Sequence, residues 1–217
     1  MLSPSLADVV RQNAANPYTW DPRVKRYRDR AGGRFVSEKA IIALTEGRIE
    51  RAKDELKELG SRLASGRINL DTFQVEMANQ LKTLHLQQYI LGRGGLKNMG
   101  DADYLTVARR LKDEYSYLRK FAKDLRSGSQ SEARLYHRIE LYAAHSRVSY
   151  LEAQQAVEKD AGSRFMRRLL GNCNPHCQDC LRYASQGWQP LGSLPLPGLK
   201  CQCGANCCCQ VKYKADE

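Results

Sequence analysis

The first 172 residues of this 217-residue chain contain no cysteine, and all eight cysteines fall between positions 173 and 209. No apolar run approaches the roughly 18 residues that a membrane span needs. The opening stretch, Met1 to Val10, lacks the basic segment and apolar core of a secretion signal. The expectation is therefore a chain made and kept in the cytosol, or packed into a particle assembled there, with no membrane partner. In a reducing setting, clustered cysteines at short spacings more often bind metal than pair as disulfides. Histidine is scarce as well, at four residues, and none of His85, His137 and His145 has a glutamate three positions before it. That excludes the paired Glu-x-x-His motif of di-iron bundles. There is no Gly-x-Gly-x-x-Gly after a strand, no phosphate loop ending in Lys-Ser/Thr and no Gly-x-Ser-x-Gly. Gly92-Arg-Gly-Gly95 follows a helical pattern and reads as a helix stop. His137 and His145 read as packing or surface histidines. No residue set for catalysis is visible, and the chain is expected not to be an enzyme.

What is present is positive charge and helical periodicity. The net charge of +11 and pI near 9.4 favour an anionic partner. Residues 3–15 read as a short first helix stopped by Asn16-Pro17. Next come Arg23, Lys25, Arg26, Arg28, Arg30 and Arg34, interleaved with Tyr18, Trp20, Tyr27 and Phe35. Gly32-Gly33 marks a tight turn between Tyr27 and Phe35. This stretch reads as a small hairpin or as an arm that orders on a partner, with a solvated linker as the plain alternative. The aromatics favour docking, and the six cations are the candidate contacts for nucleic acid or another partner.

From Ser37, an N-cap, Ile42, Thr45, Ile49, Ala52, Leu56, Leu59 and Leu63 alternate by three and four. A second helix is expected over 71–91, with Phe73, Met77, Leu81, Leu84 and Leu91 on one side. A third, capped by Asp101 or Asp103, aligns Tyr104, Ala108, Leu111, Tyr115, Leu118, Ala122 and Leu125. A fourth opens at Ser131 and aligns Leu135, Ile139, Tyr142, Ser146, Tyr150, Ala153 and Val157. The pattern predicts a mainly α protein, an antiparallel bundle of four long helices. Its divisions would be a basic aromatic arm at 1–36, the bundle at 37–168 and a Cys-rich irregular or zinc-ribbon-like knot at 169–217.

The knot holds the chemistry. Its insert, 187–198, is broken by Pro190, Pro195 and Pro197 and has little patterned apolar content, so the cysteines are expected to clip it. Cys177-x-x-Cys180 sets two thiolates on one turn, as half of a tetrahedral zinc site requires, and Cys203-x-x-x-Cys207-x-Cys209 can supply the other half. Cys173 is near enough to substitute or to complete a second site, His176 is a candidate nitrogen ligand, and Cys201 and Cys208 read as spare. A structural Zn²⁺, disulfides within an oxidised particle, and free or redox-active thiols remain the three readings of the residues alone.

Several further stretches stand in order along the chain: Leu91-Gly-Arg-Gly-Gly95, Tyr115-Ser-Tyr-Leu-Arg-Lys-Phe121, Arg138-Ile-Glu-Leu-Tyr142 and Arg147-Val-Ser-Tyr150. The knot adds Cys177-Gln-Asp-Cys180, Gly187-Trp188, Pro190-Leu-Gly-Ser-Leu-Pro195 and Asn206-Cys207-Cys208-Cys209. Together they resemble the phage Mu F-like minor head proteins, also called phage head morphogenesis proteins. Tyr27-Arg-Asp-Arg-Ala-Gly-Gly-Arg-Phe-Val-Ser37 is similar to openings of phage structural proteins. The resemblance implies a low-copy, non-enzymatic virion protein in the head interior or at the portal, met in the host cytoplasm during assembly. It implies portal or other capsid proteins as partners, packaged DNA contacted without sequence preference, and scope for homo-oligomers. By position, the family's closing motif falls on Cys177, Cys180, Cys203, Cys207 and Cys209; many relatives have a histidine where Cys203 and Asn206 stand. The competing reading is a zinc-binding nucleic-acid protein or regulator.

Overall fold

A computed structural model describes residues 17–21, 23–24, 26–128, 131–173 and 175–216. The helix expected at 3–15 and the candidate contact Lys25 lie outside them. The protein is mainly helical, with a small sheet at each end of the described chain.

Strands β1 (Tyr18–Asp21), β2 (Arg26–Asp29) and β3 (Phe35–Val36) form an antiparallel sheet in that order. The expected hairpin is β2–β3, in register Tyr27↔Val36 and Arg28↔Phe35, with Gly33 at φ 64 in the turn. Alternation along β2 puts Arg26 and Arg28 on one face, where both guanidiniums lie over the Phe35 ring at 4.6 and 4.0 Å. Tyr27 points the other way and is buried; its hydroxyl is shared between the carbonyls of Leu91 and Gly92, at 2.9 and 3.1 Å. Trp20 meets Tyr27 edge-on. The aromatics therefore dock, but onto the chain's own helices. Of the two readings of this segment, the structure shows the hairpin, extended by β1 to a sheet.

The body is built from α1 (Glu38–Ala64), α2 (Leu70–Gly92), α3 (Asp101–Arg126), α4 (Glu132–His145) and α5 (Arg147–Asp160). Ser37 caps α1 by accepting from the Ala40 amide, and Ser131 caps α4 in the same way through Arg134. The α1 seam runs through Ile41, Thr45, Ile49, Leu56 and Leu59, entering at Ile41 where Ile42 was expected. Leu56, Leu59, Phe73, Met77, Leu81, Leu118, Phe121 and Ile139 form the main core.

Two expectations shift. On α3 the buried positions are Asp103, Val107, Leu111, Glu114, Leu118, Phe121 and Ala122, so Ala108 is exposed and two carboxylates face inward. Each has partners: Asp103 accepts from the Tyr89 hydroxyl and the Gly100 amide, and Glu114 bonds the His145 ring. Gly100, not Asp101 or Asp103, is the N-cap, with Asp103 reaching back to its amide. The expected fourth helix is two helices. At Ser146 both the amide and the hydroxyl donate to the carbonyl of Ala143, a three-residue return in place of four.

A buried polar chain sits between these helices. His85 is fully buried, with Nδ1 2.8 Å from the Ser149 hydroxyl, and burial lowers its pKa from 6.5 to about 4. Burial alone would raise Glu114; the hydrogen bond and charge of His145 outweigh it and hold Glu114 below its ordinary 4.5. An unfolded His85 takes up a proton below about pH 6.5, whereas the folded one stays neutral to about pH 4. Stability is thus fully present above pH 6.5 and falls through that window, by roughly 3 kcal/mol from this residue. Glu114 adds a loss on the same acid side. Urea unfolding measured from pH 8 to 4 should show this decline, and His85→Leu should flatten it. An equally steep decline in the variant would show that His85 is not its source.

After α5, Gly162 (φ 81) turns the chain into β4 (Phe165–Leu169), which pairs antiparallel with β5 (Gln189–Pro190) and β6 (Gln210–Lys214) in the order β5-β4-β6. The expected division at 168/169 falls inside β4. Met166 from this strand joins Tyr27, Ile41, Leu91, Tyr150, Leu194 and Leu196 in a second core, which ties both sheets to the helices.

Candidate metal centre

The Cys-rich region is organised by β4, β6 and a short helix, α6 (Gln178–Ser185). Cys177 is the N-cap of α6, so its sulfur faces the helix's free amides, while Cys180, one turn on, is buried. The 187–198 loop carries two apolar anchors of its own, Leu194 and Leu196, which are buried in the second core. The cysteines are therefore not its only clips. The loop ends at Lys200, whose φ of 50 is a left-handed conformation unfavourable by roughly 1 kcal/mol for a residue with a side chain. The Tyr183 hydroxyl donates to the Lys200 carbonyl at 2.8 Å, and the Asp179 carboxylate accepts from the Gln202 amide at 3.0 Å. Those two bonds bring Cys201 and Cys203 over α6.

The sulfurs of Cys180, Cys201, Cys203 and Cys207 all lie within 4.8 Å of one another, a group that could hold a metal ion. Neighbouring separations are 3.4 Å for Cys180–Cys203, 3.5 Å for Cys201–Cys203 and 3.7 Å for Cys180–Cys207. Four sulfurs at about 2.3 Å from a tetrahedral Zn²⁺ would lie about 3.8 Å apart, so this donor set fits such an ion with little adjustment. Cys177 adjoins the group, 3.6 Å from Cys203, and the fully buried Cys209 packs against it.

Of the six expected ligands, Cys180, Cys203 and Cys207 thus share one group, and Cys177 and Cys209 border it. Cys173 stands apart. It is joined by a disulfide to Cys208, with the Cα atoms 6.0 Å apart, and the His176 ring nitrogen is 3.8 Å from its sulfur. The two cysteines read as spare therefore both have a place: Cys201 in the four-sulfur group, Cys208 in the disulfide. Gly171 lets the chain pass here, because a Cβ on it would lie 2.0 Å from the Cys208 carbonyl oxygen.

The residue that sequence reasoning missed is Arg168. It projects from β4 into the sulfurs and is 1% exposed. Its Nη2 donates to Cys207 at 3.0 Å, Cys180 at 3.4 Å and Cys201 at 3.7 Å, and its Nη1 donates to the Pro195 carbonyl at 2.9 Å. Its Nε has no acceptor among the described residues. No carboxylate pairs with it among them either. Burial opposes its charge, but the Cys207, Cys201 and Cys209 sulfurs outweigh that and raise its pKa. For Cys207, burial raises the thiol's pKa, while the Cys209 amide and the Arg168 charge bring it down to about 6. Cys177 is likewise brought to about 7 against burial, by the amides of Cys180 and Cys203. Burial raises the Cys180 and Cys203 thiols instead, so without a metal the negative charge that a buried guanidinium needs falls first on Cys207.

The candidate contact cations are spread around the first sheet. Arg23, Arg26, Arg30 and Arg34 are exposed, and Arg28 pairs with Asp21 at 2.8 Å. No helix among the described residues is long and apolar enough to cross a membrane. Comparison of the chain with protein-family models, curated proteins and solved structures finds no match in any of the three.

Proposed function

We propose that the protein is a non-enzymatic minor head protein of a phage, acting near the portal in head assembly and in DNA packaging or delivery. On this reading its helices serve as an antiparallel bundle, and its C-terminal module is a ribbon-like clip closed by a structural Zn²⁺ on Cys180, Cys201, Cys203 and Cys207. The observation that carries the metal reading is Arg168: a buried cation that donates to three of those four sulfurs and otherwise to the Pro195 carbonyl. Thiolates on a zinc ion leave a net negative charge that this guanidinium offsets, as outer-shell donors do at many metal centres. The head assignment is supported by the ordered resemblance across residues 27 to 211, whose most specific part is this same cysteine module. Portal or other capsid proteins are its partners, with the virion as its location.

Two measurements test the two parts. The purified chain should carry about one zinc per molecule, and a chelator should expose residues 165–214 to protease while the helical signal of the body persists. A metal-free chain with an equally resistant module would end the zinc reading. Quantitative mass spectrometry of purified particles should find a few copies per particle, in proportion to the portal. Hundreds of copies would make the protein a scaffold or decoration protein instead. Absence from particles, with the chain present in infected cells, would leave a zinc-containing nucleic-acid protein as its description.

A further inference from the structure

Helix α3 separates its charges. Three of its five acidic side chains turn inward or sideways and are occupied: Asp103 by Tyr89 and Arg93, Glu114 by His145, and Asp124 by Arg138. Its exposed face carries Arg109, Lys112, Arg119, Lys120, Lys123 and Arg126, against two exposed carboxylates, Asp101 in the first turn and Asp113. At 100° per residue these six cations fall within about 120° of the helix circumference, along about 26 Å of its axis. Among the described residues, Lys112, Arg119 and Lys123 meet no carboxylate, and Arg126 meets only the exposed Asp71 at 3.2 Å, a kind of pair worth little in water. The exposed charges of α1 show the reverse bias: Glu38, Glu50, Asp54, Glu55 and Glu58 against Lys39 and Arg51. A solvated face has no need of such sorting, because mixed signs at i and i+4 would stabilise the helix better.

We propose that the outer face of α3 is a docking ridge for the phosphate backbone of duplex nucleic acid. A duplex carries roughly 15 phosphates over this length, both strands counted, and turns part of them to a straight cationic rod lying along it. Lysine and arginine at this spacing neutralise phosphates without reading bases. An anionic membrane is the poorer fit. A surface helix that binds lipid inserts an apolar face, whereas Val107, Leu111, Leu118 and Phe121 of α3 are committed to the protein core. The ridge also differs from the cations of the first sheet, which were the expected contacts: there Arg26 and Arg28 are stacked on Phe35 and Arg28 is paired with Asp21. This inference stands on charge placement alone and does not require the head-assembly reading, so particle copy number and duplex affinity can fail separately.

The test is fluorescence anisotropy of the full chain with a 30-base-pair duplex of arbitrary sequence, titrated across a range of salt. Lys112→Glu, Arg119→Glu and Lys123→Glu combined should weaken binding at least about tenfold at 0.1 M salt and lower the slope of log K against log salt by about 2 to 3. The matching triple glutamine variant, which keeps helix propensity, should move both quantities in the same direction. Circular dichroism should be unchanged in both. A sheet variant, Arg26→Glu with Arg34→Glu, should have the smaller effect. The inference is overturned if the α3 variants bind as the parent does, or if the sheet variant alone abolishes binding. It is equally overturned if the parent binds phosphatidylserine vesicles, or a second copy of itself, in preference to the duplex.

Discussion

Arg168→Leu is expected to open the C-terminal module. The substitution removes the one buried cation among the sulfurs and strips three of them of a donor. Breaking a buried charge pair from one side typically destabilises by about 3–5 kcal/mol. Where the sulfurs hold a metal, loss of such an outer partner lowers metal affinity by about 10- to 100-fold. Competition with a chromophoric chelator would read the affinity, and limited proteolysis of residues 165–214 would read the opening. Arg168→Lys should fall between the parent and the leucine variant. A lysine keeps the charge but cannot reach Pro195 and three sulfurs at once with a planar fork. If the leucine variant kept its metal and its protease resistance, the sulfurs would not need the Arg168 charge beside them, and the charge balance inferred for this centre would be wrong.

Gly92→Val should have an effect of similar size at the opposite side of the second core. Gly92 ends α2 where α5 crosses it, and a Cβ there would lie 2.5 Å from the Tyr150 carbonyl oxygen and 2.6 Å from the Ala153 Cβ. Neither atom is the end of a flexible side chain, so the helices would have to separate. The carbonyl of Gly92 also accepts from the buried Tyr27 hydroxyl, so the separation would spread to the first sheet. Overpacking of this kind costs about 3 kcal/mol. Denaturant unfolding should show it as a lower midpoint, with Gly92→Ala as the milder member of the series. A valine variant as stable as the parent would mean that α2 and α5 do not pack this closely.

Much of this was readable in advance, and the failures share a cause. The seam of α1 follows from apolar spacing, because there every buried position is apolar or small, and so does that of α2 up to Leu84, beyond which it also buries His85 and Gln88. On α3 the same rule lands one residue off, because Asp103 and Glu114 occupy inward positions and are made tolerable by Tyr89 and His145, residues distant in sequence. The Cys177-x-x-Cys180 turn and the later Cys203 and Cys207 were legible from ligand spacing. Cys201 and Cys208 were not, since choosing among eight closely spaced cysteines requires the turn at Lys200 and the path past Gly171. Arg168 left no signal. In Phe165-Met-Arg-Arg-Leu169 it looks like its neighbour Arg167, and only strand pairing decides which of the two faces the sulfurs. The aromatics of residues 18–35 announced that something would cover them, but the strand alternation of Tyr27 alone could not say that the cover was Leu91, Gly92 and Tyr150.

The second core also constrains the order in which the chain can mature during synthesis. Tyr27 and Ile41 emerge early, yet their core partners include Tyr150, Met166 and Leu196, and the Glu38 carboxylate meets Lys212 only when β6 is in place. The first strands can meet Leu91, Gly92 and Gly94 once α2 is made, but the core around Tyr27 and Ile41 stays open on one side until β4 and the 187–198 loop arrive. Contacts of such long sequence separation form late and slowly. The second core is thus completed last, together with the cysteine module. A ribosome-bound chain lacking residues 165–217 could already seat Tyr27 on Leu91 and Gly92 and Trp20 on Gly94, but its second core would lack Met166, Leu194 and Leu196.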